Sequence, residues 1–64
     1  MENKVSKLFD EMQNILNDSQ NDVNKFCEGN NSAGTRVRKT MQAIKALAQE
    51  VRTEVQEQKN ATFA

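Results

Sequence analysis

Two runs of apolar residues at helical spacing, parted by one Gly-Asn-Asn turn and unbroken by any proline, leave this chain little choice of fold. In the first run Val5, Met12 and Phe26 take position a of a heptad, Leu8 and Ile15 position d, and Phe9, Leu16 and Val23 position e. In the second, Val37, Ile44 and Val51 fall at a, Leu47 at d, and Met41, Ala48 and Val55 at e. Such a period sustained over several heptads reads as amphipathic helix. It predicts one helix over about residues 3–28, a turn at about 29–31, a second helix over about 31–59 and a frayed tail at 60–64. The first seam is interrupted where Ser19 takes an a position and Asp22 a d position.

Gly29 can adopt the left-handed conformation that closes a helix, and Asn30, Asn31 or Ser32 can cap the next one by accepting its unpaired amide protons. So short a link forces the helices antiparallel. The expected fold is therefore all-α: a single antiparallel two-helix hairpin domain, with Phe26 near Val37, Leu16 near Leu47 and Phe9 near Val55. At flanking g positions this register would set Lys4 by Glu57, but Glu11 by Glu50 and Lys25 by Arg36, which are like-charge contacts. Each apolar stripe is three heptad positions wide, whereas a two-stranded seam needs two. The surplus, including Phe9, Leu16 and Met41, would face water in a lone hairpin, so self-association into a homodimer or larger helical bundle is expected.

Several function classes fall away on composition. No histidine is present, which removes an imidazole base or ligand, and one cysteine cannot form an internal disulfide. Nothing pairs a nucleophile with a base, forms a phosphate loop or clusters metal ligands, so neither catalysis nor a metal, cofactor or small-molecule substrate is expected. A lone cysteine such as Cys27 is most often a small buried filler. The beginning of the chain holds no apolar signal core and no run approaches membrane-spanning length, so no membrane partner and a cytosolic location are expected.

The neutral total of the chain conceals a division of charge. Residues 1–31 carry three lysines against six acids, a net of −3, and residues 32–64 reverse the balance to +3. In the second helix Arg38, Lys45, Arg52 and Lys59 recur every seven residues, with Gln42, Gln49 and Gln56 four residues after the first three. Those positions share one helix face. Glu50, Glu54 and Glu57 lie in the same stretch but off that face. A segregated basic stripe of this kind suits a polyanion, although a charged face on an amphipathic helix is more commonly just solvated. Arg36, Arg38 and Lys39 cluster near the start of the second helix, where free amides and the helix dipole favour an anion, and Thr35 adds a hydroxyl. Gly34 either lets an anion approach or lets the two helices pack closely. The stripe spans about 31 Å at helical rise, close to one turn of duplex DNA at roughly 34 Å. Its regular spacing suits phosphates, which carry no base code.

One stretch has a familiar wording. Gly29-Asn30-Asn31-Ser32-Ala33-Gly34-Thr35-Arg36-Val37-Arg38-Lys39 and its continuation Met41-Gln42-Ala43-Ile44-Lys45-Ala46-Leu47-Ala48-Gln49-Glu50-Val51-Arg52 resemble the bacterial linker-histone-like nucleoid proteins. The likeness runs on through Glu54, Val55 and Gln56 and covers about the last half of the chain. It implies a nucleoid-associated protein that binds DNA and compacts it largely without sequence preference. Its matching basic positions are Arg36, Arg38, Lys39, Lys45 and Arg52. Longer members carry a Lys- and Ala-rich tail; this chain ends at Ala64 without one, which moves the expected DNA contact to the helical face. The expected function is binding and compaction of double-stranded DNA through its phosphates by Thr35, Arg36, Arg38, Lys39, Gln42, Lys45, Gln49, Arg52 and Lys59. The alternative is a helical interaction module that binds protein and not DNA.

Overall fold

The computed structural model describes residues 3–62, and within them the chain is an antiparallel pair of helices, α1 over Lys4–Cys27 and α2 over Asn31–Thr62. No strand occurs among the described residues. The pair forms a rod about 53 Å long and 19 by 11 Å across. Asn3 starts α1: its backbone is extended and its Oδ1 accepts the Val5 amide at 2.9 Å. At the far end Gly29 takes a φ of +103°. That left-handed residue lets the Gly29 amide donate to the Phe26 carbonyl at 2.9 Å and the Asn30 amide to the Lys25 carbonyl at 3.0 Å. These two bonds satisfy carbonyls that the end of the helix would leave bare. Asn30 then caps α2, its Oδ1 accepting the Ala33 amide at 3.1 Å. The capping chemistry expected from Gly29 and Asn30 is thus the chemistry that turns the chain.

The seam follows positions a and d. Val5, Leu8, Met12, Ile15 and Ser19 on α1 meet Ala33, Val37, Ile44, Leu47 and Val51 on α2, all buried or half-buried. Polar residues also hold seam positions, and each has a partner. Ser19 is buried, and its hydroxyl donates to the Leu16 carbonyl at 2.9 Å. Asp22 accepts from Arg36 Nε at 2.8 Å. Glu54 lies 3.8 Å from Lys4 Nζ. Gln58 exchanges amide hydrogen bonds with Asn3 at 2.8 Å in both directions, tying the start of α1 to the last turns of α2.

Three expectations need correction. Asn60, Ala61 and Thr62 continue α2 and are not frayed; Phe63 and Ala64 lie outside the described residues. Nothing in Asn60-Ala61-Thr62 breaks a helix, and the Gln56 amide donates to Asn60 Oδ1 one turn on, at 3.3 Å. Cys27 is exposed and no filler, because it sits on the outer side of the last turn of α1. Two flanking charges also take partners other than the expected ones: Lys4 lies by Glu54, one turn from Glu57, and Arg36 pairs with Asp22.

The surplus apolar residues stay outside the seam, and so does Phe26, which the period set at an a position near Val37: it is 51% exposed, with its ring on Gly34, one turn before Val37. Phe9 is 53% exposed, Leu16 45%, Met41 42% and Val55 38%.

Candidate nucleic-acid interface

The a/d seam fixes which way the rest of α2 looks. With Val37, Ile44 and Val51 turned inward, the side chains one residue on, at position b, project from the outer face beside the exposed e residues. Arg38, Lys45, Arg52 and Lys59 hold those positions and all four are exposed. Gln42, Gln49 and Gln56, also exposed, run alongside at position f, with Lys39 at c. Glu50 and Glu57 fall at g, on the opposite edge of α2, and Glu54 is drawn into the seam with Lys4. The outer face therefore carries one sign of charge over about 31 Å.

The cations of this face are not consumed internally. Among the described residues, Arg38, Lys39, Lys45, Arg52 and Lys59 form no ion pair with the chain's own acids. All but Lys59 border two shallow depressions along the helix. Thr35, Arg38 and Lys39 line one with Met41, and Lys45, Arg52 and Gln49 line the next with Ala48. Each depression is thus cationic on one side and apolar on the other. Two of the glutamines already have partners on their own helix: Gln49 Nε2 donates to Thr53 Oγ1 at 3.4 Å and Gln56 Nε2 to Asn60 Oδ1 at 3.3 Å. Their amides serve the helix surface, which suits a stripe that positions a partner and reads no bases.

The corner at the start of α2 is less available than its sequence suggests. Asn30 occupies the Ala33 amide through its side chain and the Gly34 amide, at 3.4 Å, through its carbonyl. The Arg36 guanidinium is engaged by Asp22 of α1. Gly34 faces the Phe26 ring, so its missing side chain serves helix packing and makes no opening for an anion. Thr35 is exposed, and Arg38 and Lys39 remain open. Of the nine residues expected to contact a polyanion, the outer face brings eight together along α2, and Arg36 alone is directed to the other helix. The Asp22–Arg36 pair carries no periodic signal; only the interruption of the seam at Asp22 hints at it.

Among the described residues no group of three potential metal ligands converges. No helix there is long and apolar enough to cross a membrane.

A short helical hairpin bearing a one-sided cationic face is the class of molecule these observations define. The chain matches the family model of the histone H1-like protein Hc1 over residues 6–61, nearly the whole hairpin, and belongs to that family. No curated protein and no solved structure matches it.

Proposed function

We propose that this protein binds double-stranded DNA through its phosphates, largely without sequence preference, and compacts it in the nucleoid of the cytoplasm. The observation that carries the reading is the row Arg38, Lys45, Arg52 and Lys59: exposed, free of internal acids and spaced by whole heptads along a straight edge. Membership of a histone H1-like family supports it. Neutralising a phosphate releases condensed counterions, which supplies affinity that does not depend on base sequence. The role is one of binding, with no catalysis and no bound cofactor.

Compaction needs more than one contact per particle, and the exposed apolar residues Phe9, Leu16, Met41 and Val55 support a homodimer or larger homo-oligomer that would supply it. The same residues favour a second reading, a helical module that engages another protein and leaves DNA alone. Mobility shift in low salt on unrelated duplexes of equal length separates the two. Equal shifts across sequences are expected; no shift on any duplex would reject DNA binding and leave the protein-binding module.

A further inference from the structure

The chain carries nine cations and nine acids, so as a whole it offers a polyanion no attraction. A polyanion must be met by the outer face of α2, where the signs are separated. What else that face can recognise then decides its ligand. Its exposed residues include no aromatic ring: Phe9 lies on the apolar flank at position e, and Phe26 lies against Gly34 by the turn. Base stacking, which holds single strands, has no platform there. The amides of Gln49 and Gln56 are taken up by Thr53 and Asn60 and are not left for base edges. What remains is a row of phosphate binders.

The row has a definite form. Arg38, Lys45, Arg52 and Lys59 are exposed and stand about 10.5 Å apart, one heptad at helical rise. Between the first two lies Gln42. It lines both depressions of the face, and its side-chain amide makes no hydrogen bond within the described residues. Arg38, Gln42 and Lys45 thus present unused donors side by side along the helix. Glu50 and Glu57 stand at g on the far edge and do not interrupt the row.

A row of this form does not require a duplex. The phosphates of DNA wind around its axis, so a rod laid against it meets one strand, crosses a groove and meets the next. A flexible linear chain of phosphates has no such winding. It can lie along the row with a phosphate at every cation, and its condensed counterions are released as those of DNA are. Arginine and lysine hold its oxygens by the same charge-assisted hydrogen bonds.

We propose that the basic stripe of α2 is also a binding site for inorganic polyphosphate, a linear polyanion with neither base nor sugar, and that polyphosphate and DNA exclude each other on it. Polyphosphate then regulates the stripe, a consequence that rests on the DNA reading above: protein held by polyphosphate is withdrawn from DNA.

Calorimetric titration at low salt, without divalent cations, reads the site directly. Polyphosphate of several tens of units spans the row, whereas tripolyphosphate is shorter than the rise between neighbouring cations. At equal phosphate concentration the long chain is expected to bind at least roughly tenfold more tightly, because its phosphates engage several cations together. It should displace a labelled duplex with the same advantage over tripolyphosphate. Arg38→Gln/Lys45→Gln/Arg52→Gln should lose long-chain binding with helicity kept, and Lys4→Gln, beside Glu54 and away from the stripe, should retain it. Equal binding of the two anions per phosphate would overturn the proposal, because the effect would then be one of ionic strength. So would undiminished binding by the triple variant, which would put polyphosphate elsewhere on the chain. The two readings fail separately. Protein that shifts duplexes but does not bind the long chain refutes the polyphosphate site and leaves DNA binding intact. Protein that binds the long chain through the stripe but shifts no duplex refutes DNA binding and leaves the polyphosphate site standing.

Discussion

The Phe26 ring lies on the backbone of Gly34: a Cβ at residue 34 would stand 2.6 Å from Phe26 Cδ1 and 2.7 Å from Cε1. A helical glycine ordinarily costs about 1 kcal/mol relative to alanine, so its presence one turn into α2 is explained by the ring it accommodates.

A double-mutant cycle measures that relationship. With Phe26 replaced by Ala, the change Gly34→Ala should stabilise the protein by roughly 0.8–1 kcal/mol through helix propensity alone. With Phe26 present, the same change must displace the ring, and the gain should vanish or reverse. Chemical denaturation of the four proteins gives the coupling, expected at about 1–2 kcal/mol. Equal effects of Gly34→Ala in both backgrounds would show that the ring and the glycine act independently.

Leu8 and Leu16 should behave differently although both are leucines of the same helix. Leu8 is 8% exposed in the seam and Leu16 is 45% exposed on the apolar flank. Leu8→Ala should cost about 2–4 kcal/mol and unfold much of the population, seen as a fall in helical circular dichroism at any protein concentration. Leu16→Gln should leave helicity at high concentration nearly intact and shift sedimentation toward monomer. Similar concentration-independent unfolding in both variants would place Leu16 in the hairpin's own core.

That contrast shows what was legible in the sequence. The apolar period, the absence of proline and the Gly29-Asn30 punctuation are local signals, and they suffice for two helices, an antiparallel turn and its caps. The period also marks Phe9, Leu16 and Met41 as surplus, because e positions only flank a two-stranded seam. What local pattern does not encode is how long side chains lean across it. Arg36 reaches the seam carboxylate of Asp22 where register arithmetic opposes it to Lys25, and Lys4 reaches Glu54 in place of Glu57. The Asn3–Gln58 clasp joins residues 55 apart in sequence, so no periodicity reports it. The basic stripe is readable residue by residue, whereas the engagement of Arg36 by Asp22 requires the partner helix.

Arg36 and Arg52 should therefore differ on DNA. Arg36 is engaged by Asp22, while Arg52 projects from the outer face without an acid of its own chain. Arg52→Gln should reduce the salt dependence of binding by about one unit, the signature of one phosphate no longer neutralised. Arg36→Gln should leave the slope nearly unchanged and lower stability by at most about 1 kcal/mol, as exposed ion pairs do. Fluorescence anisotropy titrations across a salt series distinguish them. A slope change as large for Arg36 as for Arg52 would mean that DNA competes Arg36 away from Asp22.

The stripe as a whole sets the last expectation. If Arg38, Lys39, Lys45, Arg52 and Lys59 hold about three to five phosphates per hairpin, counterion release gives log affinity against log salt a slope of roughly −3 to −4 per hairpin on duplex DNA. A dimer engaging both stripes would double it. Changing Arg38, Lys45 and Arg52 together to Gln should leave helicity nearly intact, because Gln has similar helix propensity. It should also flatten the slope by about one unit for each phosphate the variant no longer neutralises, equally on unrelated sequences. Lys4→Gln is the control: Lys4 lies across the seam flank beside Glu54, away from the outer face of α2, and its removal should barely move the slope. A triple variant that binds as tightly as the parent with the same salt dependence would reduce the stripe to a solvated helix face, and DNA binding would then have to be sought elsewhere on the chain.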